Sequence, residues 1–560
     1  MELPTSNPNH GSFLLKASLP AGAYQHVLVV LLLLAGCASL LWHRLTKNAR
    51  RTRAVASPAD APNAEGRQKT GQMELKLPPG PISWPIVGCL PSVGLKHRHR
   101  TFYELSKTYG PVMQVPIGSA KIVVVHGAAI AEELLKIRDG QFCSRPPSMT
   151  GTYLGFEHCD VNLTPYNQNW QATRKALSLH LLSPSKIASQ APMRRRRICS
   201  VMAPLYCQAS AEPRTVVNVS AIADRLLIDI IIRMMFGERY SAAEIQRHRR
   251  GSEALTIRKC LQEFDVDLRE GIFLWGELNL AEYFPLLSWL DVQGLERRFR
   301  NLRKKLESLF QLIIQDHRQH ACAEDEAEPD FIDVLLSQKQ LTDKQLMGIM
   351  SNVLIAGIDT TARAIEWAMA ELGSNASVIE RAQEELDRVV GRNRVMDEHD
   401  IEKLPYLRAI SKEVLRLHPS APMDDPHVNE KPSTLGGYYI PAHSIILHNL
   451  WALSQDGSLW DNPTEFSPER FLKSKEYESM NVYGGDFKLL PFSSGRRRCP
   501  AYHFATLTLQ HVVGVFLHLF DWSVPQNGAI NMEESDGIVV GLKHPLMLSI
   551  TPRLSNVNIK

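Results

Sequence analysis

A single cysteine near the C-terminus lies in a sequence that suits a metal-bound thiolate. Cys499 follows a glycine and a run of three arginines, and an apolar, helix-like stretch begins just after it. The thiolate form of cysteine is the metal ligand, and a helix N-terminus that follows the residue lowers its pKa. We expect Pro500 at the first helical position, where the missing N–H costs nothing. Among the nine cysteines of the chain, Cys499 is therefore the candidate metal ligand.

The segment around this cysteine, FSSGRRRCPA, has the spacing Phe-x-x-Gly-x-Arg-x-Cys. This spacing resembles the haem signature of the cytochromes P450. The resemblance implies a haem b whose iron is axially ligated by Cys499, with Phe492 and Arg497 as further haem contacts, Arg497 at a propionate. Thiolate ligation favours O–O cleavage of dioxygen. Ala501 stands where the family usually has glycine, which predicts altered packing near the porphyrin without loss of a ligand.

A second candidate site lies in the middle of a long predicted helix. The sequence TDKQ has the pattern of a capping box that starts a helix at Thr342, and few helix breakers follow before Gly373. In AGIDTT, the hydroxyl of Thr360 can bond back to the carbonyl of Ala356, which loosens the helix and leaves a notch. The string resembles the P450 oxygen-activation motif. It predicts that Asp359 and Thr360 are catalytic and relay protons in this notch.

Two further motifs resemble elements that lock the P450 core around the haem. Glu413 and Arg416 are three residues apart, close enough to pair on one helix face, and the sequence PERF places Arg470 downstream. A buried Glu-Arg-Arg cluster is costly to break, because the remaining charge loses its partner. We assign these three residues a structural role.

The remaining predicted haem contacts come from the same resemblance. Trp170 and Arg174 are four residues apart, as in the W-x-x-x-R segment that donates to a haem propionate in the family. His427, in the sequence DPH, matches a position that often serves similarly. The order of all these motifs is that of the family, and the resemblance covers Leu77 to the C-terminus.

The rest of the chain predicts the scaffold that must position these residues. Most of it has a helical pattern, including 220–236, 292–319, 342–372 and 379–390, whereas the β-branched stretch 111–125, with a turn at Gly118, predicts a small sheet. The fold class is therefore mainly α with small β-sheets. The resemblance implies the cytochrome P450 fold, and the sequences after the oxygen motif and at LPPGP resemble plant A-type members.

An apolar run from Val27 to Trp42, followed by a basic cluster, predicts a single N-terminal transmembrane helix with everything downstream in the cytosol. A cleaved signal peptide is the alternative. The predicted organisation is a short lumenal N-terminus (1–22), a transmembrane anchor (23–43), a linker (44–76) and a P450 haem domain (77–560). Scattered cysteines indicate a reducing compartment. We expect the endoplasmic reticulum membrane.

These features predict a microsomal monooxygenase that uses O₂ and NADPH-derived electrons. The resemblance implies NADPH-cytochrome P450 reductase as partner. The basic residues Lys488, Arg496 and Arg498 are the expected docking face for its acidic flavin domain. A net charge of +4 on 560 residues argues against nucleic-acid binding. The expected substrate is a small lipophilic metabolite: a phenylpropanoid or flavonoid, a terpenoid or a fatty acid. The alternatives are an amino-acid N-hydroxylase, a P450-fold isomerase or dehydratase that acts without O₂, and a non-catalytic haem sensor.

Four segments are expected to line the substrate pocket, again by analogy with the family. They are the loop 155–162, the helix face at Ile355 and Ala356, the stretch 421–425 and the turn 538–540. Asp424 and Asp425 are unusual in a region that is usually apolar in the family. Either carboxylate would suit a substrate hydroxyl or amine.

Overall fold

The computed structural model describes residues 75–241, 245, 252–320, 329–525, 528–555 and 559. The predicted lumenal segment and anchor, and the linker up to residue 74, lie outside the described residues. Within the part of the chain that is described, no helix combines the length and the apolar character needed to cross a bilayer.

The described residues are mainly helical, as predicted. The α-helices, in chain order, are α1 (Leu90–Val93), α2 (Arg98–Tyr109), α3 (Ala128–Glu132), α4 (Asp139–Phe142), α5 (Met149–Tyr153), α6 (Gln168–His180), α7 (Pro184–Ser189), α8 (Ala191–Ala211), α9 (Val219–Phe236), α10 (Ser252–Gln262), α11 (Phe264–Gly276), α12 (Leu280–Tyr283), α13 (Leu295–Gln319), α14 (Phe331–Gln338), α15 (Asp343–Ser374), α16 (Ala376–Val389), α17 (Pro405–Leu417), α18 (Leu450–Ser454), α19 (Lys475–Ser479) and α20 (Tyr502–Leu519). Short 3₁₀ turns occur at Pro285–Leu290, Glu398–Lys403, Pro468–Leu472 and Gly495–Arg497, and one π turn spans Glu133–Ile137.

Three small sheets accompany the helices in the described part of the chain. Their strands are β1 (Val112–Gln114), β2 (Ile122–Val125), β3 (Thr215–Asn218), β4 (His427–Val428), β5 (Ser433–Leu435), β6 (Tyr438–Ile440), β7 (Ile445–His448), β8 (Phe520–Ser523) and β9 (Met547–Pro552). The first sheet has the order β1-β2-β7-β4, with β2 and β7 parallel, the second has the order β3-β9-β8, and β5 pairs with β6. The predicted strand pair around Gly118 is confirmed as β1 and β2, with Gly118 at a φ of 53° in the turn between them.

Helix α15 crosses the domain and positions the site. Its 32 residues span about 48 Å at 1.5 Å per residue. The predicted capping box is present, because the Thr342 hydroxyl accepts from the backbone N–H of Gln345 and the Gln345 side chain accepts from that of Thr342. The helix packs against α9, α17 and α20, and most of its C-terminal half is buried.

The predicted charge cluster lies in the core beneath the site. Arg416 donates two hydrogen bonds of 2.8 Å to the two carboxylate oxygens of Glu413, and Arg470 lies 3.3 Å from the same carboxylate. Arg416 also donates to the carbonyls of Ser454 and Pro463, so its charge has further partners. This cluster ties α17 to the loops that precede the cysteine segment.

Candidate functional site

The cysteine segment folds into a tight loop that faces the middle of α15. The amide N–H of Cys499 donates to the carbonyl of Phe492 at 3.0 Å and closes the loop, while Gly495 turns the chain with a φ of 68°. A Cβ at Gly495 would lie 2.3 Å from the carbonyl oxygen of Leu135, so only glycine fits there. Helix α20 starts at Tyr502, so the prediction that Pro500 occupies its first position is wrong by two residues.

A cavity separates this loop from α15. Its walls combine Cys499, small residues of the helix and apolar side chains of several elements: Leu177, Leu181, Ile231, Ile355, Ala356, Gly357, Leu415, Phe492, Phe504, Ala505 and Leu509. Apolar walls with one thiol among them suit a haem-type macrocycle bound through sulfur. Ala501 also lines it, with a φ of −92° that any residue adopts, so the alanine replaces the usual glycine without backbone strain.

The thiol of Cys499 is more weakly acidic than predicted. Burial raises its pKa above the usual value, although a hydrogen bond from the Ala501 amide and the guanidinium of Arg174 both lower it. Desolvation outweighs both of these effects. A metal cation bound to the sulfur would favour the thiolate.

Arg497 is placed to bind an acidic group at the edge of the cavity. It donates to the carbonyls of Cys143 at 2.6 Å and Thr164 at 2.7 Å, while its Nη1 is buried and has no partner among the described residues. Burial, assisted by the nearby Arg145, lowers its pKa to about 9. A bound carboxylate would satisfy Nη1 and restore the usual preference for the charged form.

His427 offers a second atom without a partner. Its Nδ1 lies 3.0 Å from the carbonyl of Phe142, and its buried Nε2 has no partner within the described part of the chain. Burial lowers the pKa of His427 to about 3, so the ring is neutral and, with the proton on Nδ1, Nε2 is an acceptor. An acidic group placed beside it would raise this pKa and turn Nε2 into a donor.

Trp170 and Arg174 have different surroundings, although both lie on α6. Arg174 lines the cavity and donates to the carbonyl of Arg498 at 2.6 Å. The indole N–H of Trp170 donates to the carbonyl of Val161 at 2.9 Å, and the Arg497 guanidinium lies 4.4 Å from the centre of its ring. In this structure Trp170 supports Arg497, and its role as a direct haem contact stays a prediction.

Sequence reasoning missed a third guanidinium in the cavity wall. Arg145 is buried, and it donates to the carbonyls of Asn162, Asp425 and Pro426. It carries no motif of its own, so only the neighbouring elements reveal it.

Together, the thiol, the apolar walls and the unpartnered atoms of Arg497 and His427 fit a haem with two propionates.

The notch in α15 forms as predicted, but its two polar residues face different spaces. The Thr360 hydroxyl donates to the carbonyl of Ala356 at 2.7 Å and lines the cavity beside Cys499. Asp359 lines an adjoining cavity and lies 3.3 Å from Arg363, and burial raises its pKa. Consecutive helical residues point about 100° apart, so the two side chains do not form a direct relay.

Arg363 connects Asp359 to two other helices. It forms ion pairs with Asp224 of α9 and, at 2.8 Å, with Glu366, and Arg269 of α11 lies 3.2 Å from Asp224. These anionic neighbours raise the pKa of Arg363 despite its burial. The network fixes the side of α15 that faces away from the cysteine loop.

The adjoining cavity has a volume of about 790 Å³ and shares residues of its wall with the first. The shared wall consists of Arg145, Ile272, Trp275, Met423, Asp424, Ile538 and Val539. All four predicted pocket segments contribute residues to the two cavities. The contribution of α11, through Ile272 and Trp275, was missed because its apolar residues have the pattern of an ordinary packed helix.

Comparisons with known proteins agree with this architecture. The family model described as "Cytochrome P450" matches residues 78–550. A flavonoid 3'-monooxygenase of Arabidopsis thaliana is 34% identical over 494 residues, covering 86% of this chain and 92% of that protein. A flavonoid 3',5'-hydroxylase of Campanula medium is 32% identical over 486 residues, covering 85% and 92%.

A solved structure has the same fold. A zebra fish cytochrome P450 with progesterone superposes with a TM-score of 0.66 at 25% sequence identity. The superposition covers 81% of this chain and 99% of the zebra fish chain.

Proposed function

The chain belongs to the cytochrome P450 family, and we propose that it is a monooxygenase that hydroxylates a flavonoid-type aromatic metabolite. Membership makes it an oxidoreductase with a haem b cofactor whose iron is bound by a cysteine thiolate, and its relatives are plant A-type enzymes. The observation that supports the proposal best is the position of Cys499, which faces the Thr360 notch across an apolar cavity.

We assign the ligand role to Cys499 and the propionate contacts to Arg497, Arg174 and His427. The assignment is supported by the buried atoms of Arg497 and His427 that have no partner among the described residues. Trp170 would hold the guanidinium of Arg497 in place through its ring. When bound, the haem supplies the iron that activates dioxygen and inserts one oxygen atom into a substrate C–H bond.

The residues of α15 would control protons and water at this site. The Thr360 hydroxyl faces the cavity and can pass a proton, because its bond to the Ala356 carbonyl leaves its lone pairs free. Asp359 would act on Thr360 indirectly, because its carboxylate is paired with Arg363. It would pass protons to Thr360 through a water molecule or after a movement of its side chain. Apolar side chains such as Ile355 and Phe504 line the rest of the cavity and exclude bulk water from it.

The substrate class is supported by the relatives and by the cavity. The two plant relatives described above are named for flavonoid hydroxylation. The space of about 790 Å³ beside the haem site suits a small molecule of a few fused rings, and Ile272, Trp275 and Val539 offer apolar contact.

We also propose a diflavin reductase as the electron donor, NADPH as the source of electrons and an anchor at 23–43 in the endoplasmic reticulum membrane. The predicted docking residues differ in their surroundings: Lys488 pairs with Glu476 at 2.8 Å and Arg496 with Asp139 at 2.9 Å. Arg498 donates to a backbone carbonyl, so it keeps its positive charge for a partner.

The alternative activities receive less support. A P450-fold isomerase or dehydratase usually lacks the proton-delivering threonine, whereas Thr360 is present and faces the cavity. An amino-acid N-hydroxylase would need a cation that is free to hold the substrate carboxylate. Apart from Arg145, which lines both cavities and donates to backbone carbonyls, the lysine and arginine side chains that line the adjoining cavity each have a partner among the described residues: Lys96, Arg98, Arg269, Arg298 and Arg363. The guanidiniums of Arg174 and Arg497 line the haem cavity instead.

The test is expression of the full chain in microsomes with reductase. A panel of flavanones and flavones, NADPH and O₂ should yield products that gain one oxygen atom, detected by mass spectrometry. Cys499→Ala should lose the thiolate-type carbon monoxide spectrum and the product together. Turnover without NADPH, or activity that survives in Cys499→Ala, would refute the proposed reaction, and oxidation of amino acids alone would refute the substrate class.

A further inference from the structure

Two consecutive aspartates after α17 have different surroundings. The Oδ2 atom of Asp424 has two partners, because it accepts from the Ser493 hydroxyl at 2.7 Å and lies 3.2 Å from Nδ1 of His448. Although burial opposes ionisation, His448 and Ser493 hold the pKa of Asp424 below its usual value. Asp424 therefore ties the cysteine loop to β7 and has a structural role.

Asp425 lines the haem cavity, and only one of its two carboxylate oxygens has a hydrogen-bond donor among the described residues. Its Oδ2 accepts from the side-chain amide of Asn162 at 2.7 Å. Its Oδ1 is buried, and no residue that the structure describes donates to it. A buried carboxylate oxygen without a donor is costly, and such atoms in native proteins usually serve a ligand, a water or an ion. The cavity that Asp425 shares with Thr360 is the space from which a donor would come.

The charges around Asp425 favour a neutral donor. Arg145, Arg174 and Arg497 line the same cavity, and Arg145 donates to the backbone carbonyl of Asp425 at 2.7 Å. An ammonium group would add a positive charge beside three guanidiniums. A hydroxyl group donates the same hydrogen bond without adding charge.

We propose that Asp425 accepts a hydrogen bond from a hydroxyl group of the substrate and thereby selects hydroxylated aromatic molecules. Asn162 acts as a positioning residue, because its amide fixes one carboxylate oxygen and leaves the other for the substrate. This inference rests on the proposed function and deepens it. Asp425 becomes the residue that tells a hydroxylated ring from an unsubstituted one.

The experiment measures binding to the full-length holoenzyme by the Soret shift that accompanies substrate binding. The probes are two matched sets: monohydroxyflavanones with unsubstituted flavanone, and 4-phenylphenol with biphenyl. A hydrogen bond to a charged group is worth about 1.5–3 kcal/mol, so the wild type should prefer the hydroxylated probe by roughly 10–100-fold. Asp425→Leu should abolish this preference. Asp425→Asn should keep part of it, because its amide oxygen still accepts, and Asn162→Ala should weaken it.

Folding is checked by haem content and by the thiolate-type carbon monoxide spectrum of each variant. A preference that persists in Asp425→Leu, or a wild type without preference in either probe set, overturns the inference. Tighter binding of 4-aminomethylbiphenyl than of 4-phenylphenol, lost in Asp425→Leu, overturns the hydroxyl assignment in favour of an amine. If no flavanone binds but the biphenyl pair behaves as expected, the flavonoid proposal fails and the role of Asp425 stands.

Discussion

The hydroxyl of Ser420 donates a 2.8 Å hydrogen bond to the backbone carbonyl of Thr360, sixty residues earlier in the chain. The hydroxyl of Thr360 itself bonds back to the carbonyl of Ala356, four residues earlier, at 2.7 Å. The notch of α15 is thus held by one bond within the helix and by one from the loop after α17. Ser420 lines the same cavity, so this bond belongs to the site itself.

Replacing Ser420 by alanine should loosen the notch and reduce the control of protons at Thr360. We expect the yield of product per NADPH to fall about three- to tenfold, the equivalent of one hydrogen bond of about 1 kcal/mol, with little change in substrate affinity. The measurement compares product formation with NADPH consumption. Ser420→Thr, which keeps the hydroxyl, is the matched control. An unchanged yield in Ser420→Ala would show that the bond has no catalytic role.

Two small residues of the cysteine loop, Gly495 and Ala501, should respond differently to substitution. Gly495→Ala places a Cβ 2.3 Å from the Leu135 carbonyl at a positive φ, so haem incorporation should be largely lost. Ala501→Gly should retain haem content and turnover within about twofold, because Ala501 already has an unstrained φ of −92°. Absorption spectra of the purified variants measure haem content, and product formation with reductase and NADPH measures turnover. A large gain in activity for Ala501→Gly would contradict the structure.

Removal of the Glu413 carboxylate should unfold the core. In Glu413→Ala the buried charges of Arg416 and Arg470 lose their shared partner, and breaking such a cluster costs about 3–5 kcal/mol. Thermal or urea denaturation followed by circular dichroism measures the effect. Glu476→Ala removes a carboxylate from an exposed pair with Lys488, and it should leave the melting temperature unchanged. Equal effects of the two substitutions would refute the assigned structural role.

The ion pair between Glu398 and Arg194 should make stability depend on pH in the acid range. Burial opposes the ionisation of Glu398, but Arg194 and His511 hold its pKa at about 2. Because the folded pKa lies below the unfolded value of about 4.3, the contribution is complete above that value and is lost as pH falls toward 2. A shift of this size corresponds to about 3 kcal/mol.

Glu398→Gln tests this contribution. The variant should be less stable than the wild type at pH 7, and the difference in unfolding free energy should shrink between about pH 4.5 and 2. Urea denaturation at a series of pH values gives both curves. A difference that stays constant over this range would mean that the Glu398 carboxyl does not titrate with a depressed pKa.

Local patterns in the sequence predicted much of the site. The capping box at Thr342, the bond from Thr360 to Ala356 and the pair of Glu413 with Arg416 join residues three or four positions apart, where helix geometry alone sets the distance. The cysteine loop is also local, because the Cys499 amide closes it on the carbonyl of Phe492, seven residues earlier. For such features, a correct assignment of the local secondary structure is enough to predict the contact.

Other features depend on which distant groups become neighbours, and only the tertiary structure decided them. Asp359 pairs with Arg363 one turn further along α15, but Asp224 of α9 holds that arginine. The indole of Trp170 bonds to the carbonyl of Val161 in a preceding loop. Asp224 and Val161 lie outside the helices that carry these residues, so helix geometry alone does not predict the two contacts. The net pKa of Cys499 depends on burial by all the surrounding elements.

The adjacent aspartates show the same division most clearly. In sequence, Asp424 and Asp425 are equivalent candidates. In the fold, the carboxylate of Asp424 contacts Ser493 and His448, whereas that of Asp425 contacts Asn162 and has a buried oxygen without a donor among the described residues. Residue type and spacing determine what chemistry a side chain is able to do. The packing of distant segments determines which partners it meets, because solvation and charge interactions act over distances in space and not along the chain.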